Sequence, residues 1–325
     1  MQIDVTRLLV DSIIIAIPLI IAAIGGLYSE RGGVVNIGIE GIMTVGAFAG
    51  ALAIVQLQGS NISLQIGDFV ILTQPQTLAL IAMVVGAVAG LLFSVIHAVF
   101  TVKLKSDQVI TGIAINVIAL GLTIFLTQLI FNSKETANIE NTRIDTIKFG
   151  QGDSLISRLN NPITYTAIAI IAATVYIFKS TKFGLRLRSV GENPYASEAV
   201  GIDVMRYRII GVLISGMLAG LAGTFVLISG GNNTFSAITI NGKGFMALAI
   251  LIFGGWRAIP IVLAGLFFQV IATIPTQITG STINQDLLDF LKVALPFIIS
   301  LIALVFVSKN SKAPKSLGKV FEKQD

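Results

Sequence analysis

The chain reads as an all-α protein: a polytopic integral membrane helical bundle of about nine membrane segments, at least one of them broken or short. Three observations predict this. Of 325 residues, 54% are apolar and only 12% charged, about half the charge of a soluble domain. Apolar runs of roughly 20 residues recur, each long enough to cross a ~30 Å hydrocarbon core. The basic residues behind the net charge of +5 lie in stretches flanking those runs, the pattern of topology determinants and headgroup contacts rather than of nucleic-acid binding. Cysteine is absent, which excludes disulfides and thiolate metal sites and leaves the redox compartment open.

The first segment, 10–28, follows Asp4 and Arg7, has Asp11 at its start and is followed by no small-x-small cleavage site, so it reads as a retained span and not a cleaved signal. The second and third are 37–57 and 78–100, the third carrying Gly86 and Gly90. The fourth is 108–131, the fifth 162–178, and the sixth 209–229 with Gly216 and Gly220. Gly-x-x-x-Gly spacing lets two helix backbones approach closely. The seventh, 244–256, is short and predicts a broken or half-crossing helix; the eighth and ninth are 259–275 and 287–307. Residues 1–308 thus form a transmembrane domain with a loop at 179–208, and 309–325 a basic tail.

Orientation follows from Lys and Arg. Lys103 and Lys105, then Lys179, Lys182, Arg186, Arg188, Arg206 and Arg208, then Lys309, Lys312, Lys315, Lys319 and Lys323 fall on one side. Placing that side in the cytoplasm puts the N-terminus outside and the C-terminus inside, which an odd number of crossings satisfies. The long loop 132–161 becomes external, and Lys292 falls inside the last span.

The loop 179–208 carries Gly191-Glu192-Asn193-Pro194-Tyr195-Ala196-Ser197. Asn193 suits an N-cap, Pro194 the first helical position, and Gly201 the stop. A helix this short is marginal alone, so it must dock, either on its own membrane domain or on a partner.

Some polar residues sit at membrane depth. Glu40, four residues into the second segment, is expensive there; it either pairs near the cytoplasmic end with Arg31 or serves substrate or gating. Asn36 is a possible N-cap beside it. Asn116, central in the fourth segment, offers donors and an acceptor to ribose hydroxyls or a base edge, or an interhelical hydrogen bond. Phe48, Phe125, Phe267 and Phe268 are possible stacking faces or simple packing. His97 reads as a helix-end contact, and Trp256 and Arg257 as interfacial belt and anchor. Gly41-Ile42-Met43 and Gly244-Phe245-Met246 echo each other from opposite starting faces, as in an inverted repeat.

The stretch Ser29-Glu30-Arg31 through Asn36-Ile37-Gly38-Ile39-Glu40-Gly41, with Ser215-Gly216-Met217-Leu218-Ala219-Gly220 and Gly242-Lys243-Gly244 through Gly254-Gly255-Trp256, resembles permease subunits of binding-protein-dependent ABC importers. The group includes branched-chain amino acid, ribose and simple-sugar permeases, and the first stretch looks most like its nucleoside branch. The resemblance covers about 17–307. It implies that the short helix is a coupling helix, with Gly191, Glu192, Asn193, Pro194, Tyr195, Ala196 and Ser197 at the ATPase. Where such permeases commonly have paired alanines, this chain has Ala196-Ser197. The resemblance also implies an ABC ATPase, a second non-identical permease and an extracellular substrate-binding lipoprotein as partners. ATP and magnesium would bind the ATPase, with no cofactor on this chain.

The sequence has no Gly-x-x-x-x-Gly-Lys-Ser/Thr, no His-Glu-x-x-His and no Gly-x-Ser-x-Gly, so neither Walker-type ATP binding nor the common intramembrane hydrolases are encoded. A transport subunit, not an enzyme, is expected. A sugar permease and a gradient-driven secondary transporter are the alternatives; the second would want mid-membrane acids, which are scarce here.

Overall fold

A computed structural model describes residues 5–60, 62–66, 69–139, 147–149, 155–230, 234–277 and 312–322, with Ala294 and Ile298. Its helices are α1 (Val5–Arg31), α2 (Ile39–Leu57), α3 (Gln74–Ala98), α4 (Gln108–Phe131), α5 (Pro162–Ser180), α6 (Lys182–Glu192), α7 (Pro194–Ala199), α8 (Val204–Ser229), α9 (Lys243–Phe253) and α10 (Ala258–Gln277). A short hairpin, β1 (Leu64–Ile66) and β2 (Phe69–Leu72), joins α2 to α3 with Gln65 opposite Val70. It is the one named sheet among the described residues, in an otherwise helical chain.

Six of these helices are long and apolar enough to cross a membrane, and α9 and α10 supply two shorter apolar stretches. Of the ninth expected segment, 287–307 with Lys292, all but Ala294 and Ile298 lies outside the described residues.

Helix starts follow side-chain capping, because the first N–H groups of a helix lack intrahelical partners. Asp107 Oδ1 accepts from Val109 and Ile110 at 2.9 Å each to begin α4. Asn161 accepts from Thr164 at 3.0 Å ahead of Pro162 in α5, and Asp203 from Arg206 at 2.9 Å in α8. In α3, Gln76 reaches back to the N–H of Thr73 at 3.0 Å as half of a capping box.

The centre is α1 and α8, which bury 78% and 72% of their most apolar windows, against 28% for α4 and 17% for α5. The outer helices instead expose Phe125, Ile168 and Tyr176, an apolar girdle that a membrane would cover. The two Gly-x-x-x-Gly pairs face one another. A Cβ on Gly90 would lie 2.7 Å from Gly220 Cα, and one on Gly220 would lie 2.8 Å from Gly90 Cα. The α3–α8 contact therefore runs backbone to backbone, with dispersion and Cα–H···O contacts replacing side-chain interdigitation.

One end of the bundle gathers Arg31, Lys103, Arg188, Trp256 and the segment 312–322. Between α1 and α2 the chain does not simply turn back. Residues 34–36 have no regular secondary structure and run into the bundle. Asn36 Nδ2 donates to Ser215 Oγ at 2.9 Å, about 17 Å along α8, and Asn116 donates to Ile37 O at 3.0 Å, about 12 Å along α4. So α2 starts deep inside, and Glu40 lies there too, not at the basic end that the sequence suggested.

Candidate functional site

Irregular backbone at membrane depth is tolerated only where protein groups satisfy it, and three side chains do so here. Gln108 Oε1 accepts the N–H of Val35 at 2.7 Å, and His97 Nε2 donates to Val35 O at 3.1 Å. The Asn116 amide spans the break, donating to Ile37 O at 3.0 Å and accepting the N–H of Gly41 at 2.8 Å. Asn36 makes the bond to Ser215. His97 is fully buried, a helix-end contact onto the Val35 carbonyl, as expected.

The second break lies opposite. Beyond α8, residues 234–242 return into the bundle, anchored by Thr136 N donating to Phe235 O at 3.0 Å and Phe235 N to Thr136 Oγ1 at 2.9 Å. Asn241 and Gly242 take left-handed φ values of 33° and 81°, and α9 begins. Its N-terminus meets the Glu40 carboxylate: Gly242 N–H donates to Oε1 at 2.5 Å and Gly244 N–H to Oε2 at 2.6 Å. A carboxylate on the positive end of a helix dipole, accepting two backbone N–H groups, is a favourable way to hold a charge inside a bundle. A Cβ on Gly244 would sit 2.6 Å from Glu40 Cα, so the crossing needs a residue without a side chain there. Lys243 bends away to the carbonyls of Thr239 and Ile240, at 3.0 and 3.3 Å.

From this shared start, α2 and α9 leave in opposite directions. The α2 end joins the far side, where Gln74 Nε2 donates to Gln58 O at 3.0 Å. The α9 end reaches the basic side, where Arg31 donates through Nε and Nη2 to Trp256 O at 3.0 and 2.7 Å. Beside the crossing lies a cavity of about 300 Å³, lined by Glu40, Gly41, Thr44, Asn116, Val117, Leu120, Ala237, Ile238 and Asn241. It sits at the lower bound of small-ligand sites. Its lining combines polar groups of Glu40, Thr44, Asn116 and Asn241 with aliphatic Val117, Leu120 and Ile238.

Among the pathway candidates, then, Glu40 and Asn116 share one cavity and Asn36 does not. Asn36 is buried against Ser215. None of the four phenylalanines lines it: Phe48 packs edge-on to Phe235 at 5.6 Å, Phe268 to Phe253 at 4.9 Å, and Phe125 and Phe267 face outward. Arg31 pairs with Glu192 at 3.6 Å, not with Glu40. Trp256 is no belt residue; it is buried, and its indole N–H donates to Glu30 Oε2 at 2.6 Å.

At the basic end the 179–208 loop is a helical hairpin. Thr181 caps α6, accepting from Gly184 N at 3.1 Å, and α6 buries Leu187 and Val190. Asn193 Oδ1 then accepts from Ala196 N at 3.1 Å to cap α7, Pro194 follows in the first turn, and Gly201 ends the turn at φ 82°. Pro194 and Ser197 face inward. Ser197 Oγ lies 2.7 Å from Ser189 Oγ. Gly191 is buried against the Arg31 carbonyl. The outward face is Glu192, Asn193, Tyr195 and Ala196.

Sequence reasoning missed what holds this hairpin. Residues 312–322, read as a basic tail, strap across it. Ser316 Oγ donates to Gly191 O at 2.6 Å, Arg208 Nη1 to Lys319 O at 2.9 Å, and the buried Phe321 ring meets Tyr195 at 5.3 Å. One aromatic residue in a lysine-rich tail was the available signal.

Against known proteins, the profile described as branched-chain amino acid transport system / permease component matches residues 8–306. This chain belongs to that permease family. The guanosine ABC transporter permease protein NupQ of Bacillus subtilis is 38% identical over 314 residues, covering 94% of this permease and 93% of the relative. The nucleoside ABC transporter permease protein NupC of Lactococcus lactis is 35% identical, covering 98% and 96%. NupB of the same organism is 28% identical over 94% of this permease and 84% of the relative. The permease is accordingly a multi-pass membrane protein and a transport component, not an enzyme, and its family implies an ATPase and a substrate-binding protein as partners.

Proposed function

We propose that this permease is a translocation subunit of an ATP-driven nucleoside importer, with the substrate passing the cavity beside Glu40 and Asn116. The observation that carries the reading is the meeting of two broken helices at one carboxylate, each offering backbone groups at mid-bundle depth. Transporters build midplane sites from such discontinuous helices. The cavity has acceptors on Glu40, a hydroxyl on Thr44 and amides on Asn116 and Asn241, facing Val117, Leu120 and Ile238. Polar groups suit ribose hydroxyls and a base edge; the aliphatic wall suits the face of a base.

The proposed power stroke enters through α7. Its exposed face meets an ABC ATPase, which binds ATP and magnesium. The chain just before α7 is tied to the α1 end through Arg31–Glu192, and α7 runs into α8 through a turn held by Ile202 N–H on Ser197 O, so displacement of α7 tilts helices that flank both breaks. Rigid-body rocking about a fixed central site then alternates access. Support for the orientation, N-terminus outside and C-terminus cytoplasmic, is the gathering of Lys103, Lys105, Arg188, Arg208 and the 312–322 strap at the α7 end. The domain reading follows: a transmembrane body over 1–308 with a cytoplasmic tail. A second, non-identical permease completes the pathway, as the separate NupB and NupC names suggest for their organism, and an extracellular binding lipoprotein delivers substrate.

The test is uptake of labelled guanosine, adenosine and ribose by the assembly reconstituted in vesicles. ATP-dependent, vanadate-sensitive nucleoside uptake that excess ribose leaves unchanged is expected. Uptake of ribose in preference to nucleosides, or uptake driven by a proton gradient without ATP, would overturn the reading.

A further inference from the structure

The basic end carries a second cavity, of about 450 Å³, that neither the translocation path nor the α7 face uses. It opens between the ends of α1, α5 and α6 and the start of α10. Four cations line it: Arg31, Lys179, Arg188 and Arg257. Arg31 is committed to Trp256 O and Glu192. For Lys179, Arg188 and Arg257, no carboxylate among the described residues forms an ion pair with them, and Arg188 Nε is buried with no hydrogen-bond partner. Arg188 and Arg257 moreover bear on Arg31 as like charges. Gathering cations this way is unfavourable unless an anion joins them.

The rest of the lining is apolar and includes Leu27, Phe178 and the exposed Ile259. Beyond it the outer faces of α5 and α10 expose Tyr176, Leu263 and Phe267. A ligand for this site therefore has a compact anionic head and a long apolar body lying along the bundle. We propose that the groove binds an anionic phospholipid: the phosphodiester sits among Arg188, Arg257 and Lys179, and the acyl chains run up the α5–α10 seam. Guanidinium forks match phosphate oxygens geometrically, and basic pockets at helix ends on the cytoplasmic side recognise such headgroups. Because Arg31 joins this groove to Glu192 beside α7, the lipid also screens the charge next to α7.

The test uses the full permease in detergent, with phosphatidylglycerol or phosphatidylcholine added and bound lipids counted by native mass spectrometry. Wild type should retain phosphatidylglycerol over phosphatidylcholine. The double variant Arg188→Gln/Arg257→Gln should lose roughly tenfold or more in phosphatidylglycerol affinity, at about 1 kcal/mol per cation, with phosphatidylcholine unchanged. Lys182→Gln/Lys312→Gln, which removes equal charge elsewhere, should bind like wild type. The exposed Arg257→Gln alone should give an intermediate loss, which guards against misfolding of the double variant. The proposal is overturned if wild type holds both lipids alike, if the control pair loses as much as the groove pair, or if glycerol phosphate displaces the bound anion completely, marking a soluble ligand.

Discussion

Removing the charge at Glu40 should open the crossing of the two broken helices. In Glu40→Gln, one carboxamide oxygen remains to serve Gly242 and Gly244, whose N–H groups now hold both carboxylate oxygens at 2.5 and 2.6 Å. The amide NH₂ must point at one of these donors. Charge-assisted hydrogen bonds contribute about 1.5–3 kcal/mol each, and an orphaned buried N–H costs about 1–3 kcal/mol. A loss near 3 kcal/mol follows, roughly a 100-fold shift towards a frayed first turn of α9. Hydrogen exchange of the α9 amides, read beside ATP-dependent uptake, is the assay. Exchange in the first turn should accelerate while α8 amides stay protected, and uptake should fall at least tenfold. Glu40→Asp, shorter by one methylene, should retain one bond and intermediate protection. Wild-type protection of α9 in Glu40→Gln would refute the reasoning, because the carboxylate would then not be what holds the helix start.

Other perturbations separate the parts. Asn116→Leu strips partners from Ile37 O and Gly41 N–H together and should destabilise the protein by about 2–4 kcal/mol, seen as a fall in detergent unfolding temperature; an unchanged Tm would mean the break is held otherwise. Ala196→Glu, on the outward face of α7, and Pro194→Gly, at its base, should each leave the protein inserted and ATP hydrolysis running while uptake drops more than tenfold; normal uptake in both would remove α7 from the coupling path. Phe321→Ala should loosen the strap by about 1.5–3 kcal/mol of buried aromatic surface and lower uptake severalfold, with Phe321→Leu restoring most of it. Equal uptake in all three forms would leave the strap without a coupling role.

Much of the helical layout was legible because long apolar runs and local caps are local signals. The fourth segment, expected at 108–131, is α4 to the residue, since Asp107 and left-handed Asn132 bracket it. The α7 start was equally readable from Asn193-Pro194. The glycine pairs of α3 and α8 could be seen, but not that they face each other, which is a tertiary fact. Harder was the irregular stretch after Arg31. The second segment reads as a plain span from residue 37 capped by Asn36, while the backbone of 35–41 is held by Gln108, His97 and Asn116 from helices far along the chain. Glu40 was legible as an unusual residue, yet its partners, Gly242 and Gly244, lie about 200 residues on. The short seventh segment and its Gly-Phe-Met echo pointed there without giving the contact. The α6 helix was hidden under its own charge: Lys182, Arg186 and Arg188 read as loop, and the i, i+3 pair Leu187 and Val190 is too short a stripe to announce a buried face.

The most direct measurement exploits a chain that contains no cysteine. Ala196→Cys then carries the only thiol, on the exposed side of α7. With the reconstituted ATPase present, a short cross-linker carrying a maleimide for that thiol and a photoreactive group for any neighbouring C–H or N–H bond should join it to the ATPase. An impermeant maleimide added to intact cells should leave it unlabelled, with labelling appearing only once the membrane is opened. Labelling from outside intact cells, or no cross-link in an assembly that still imports nucleosides, would contradict the account.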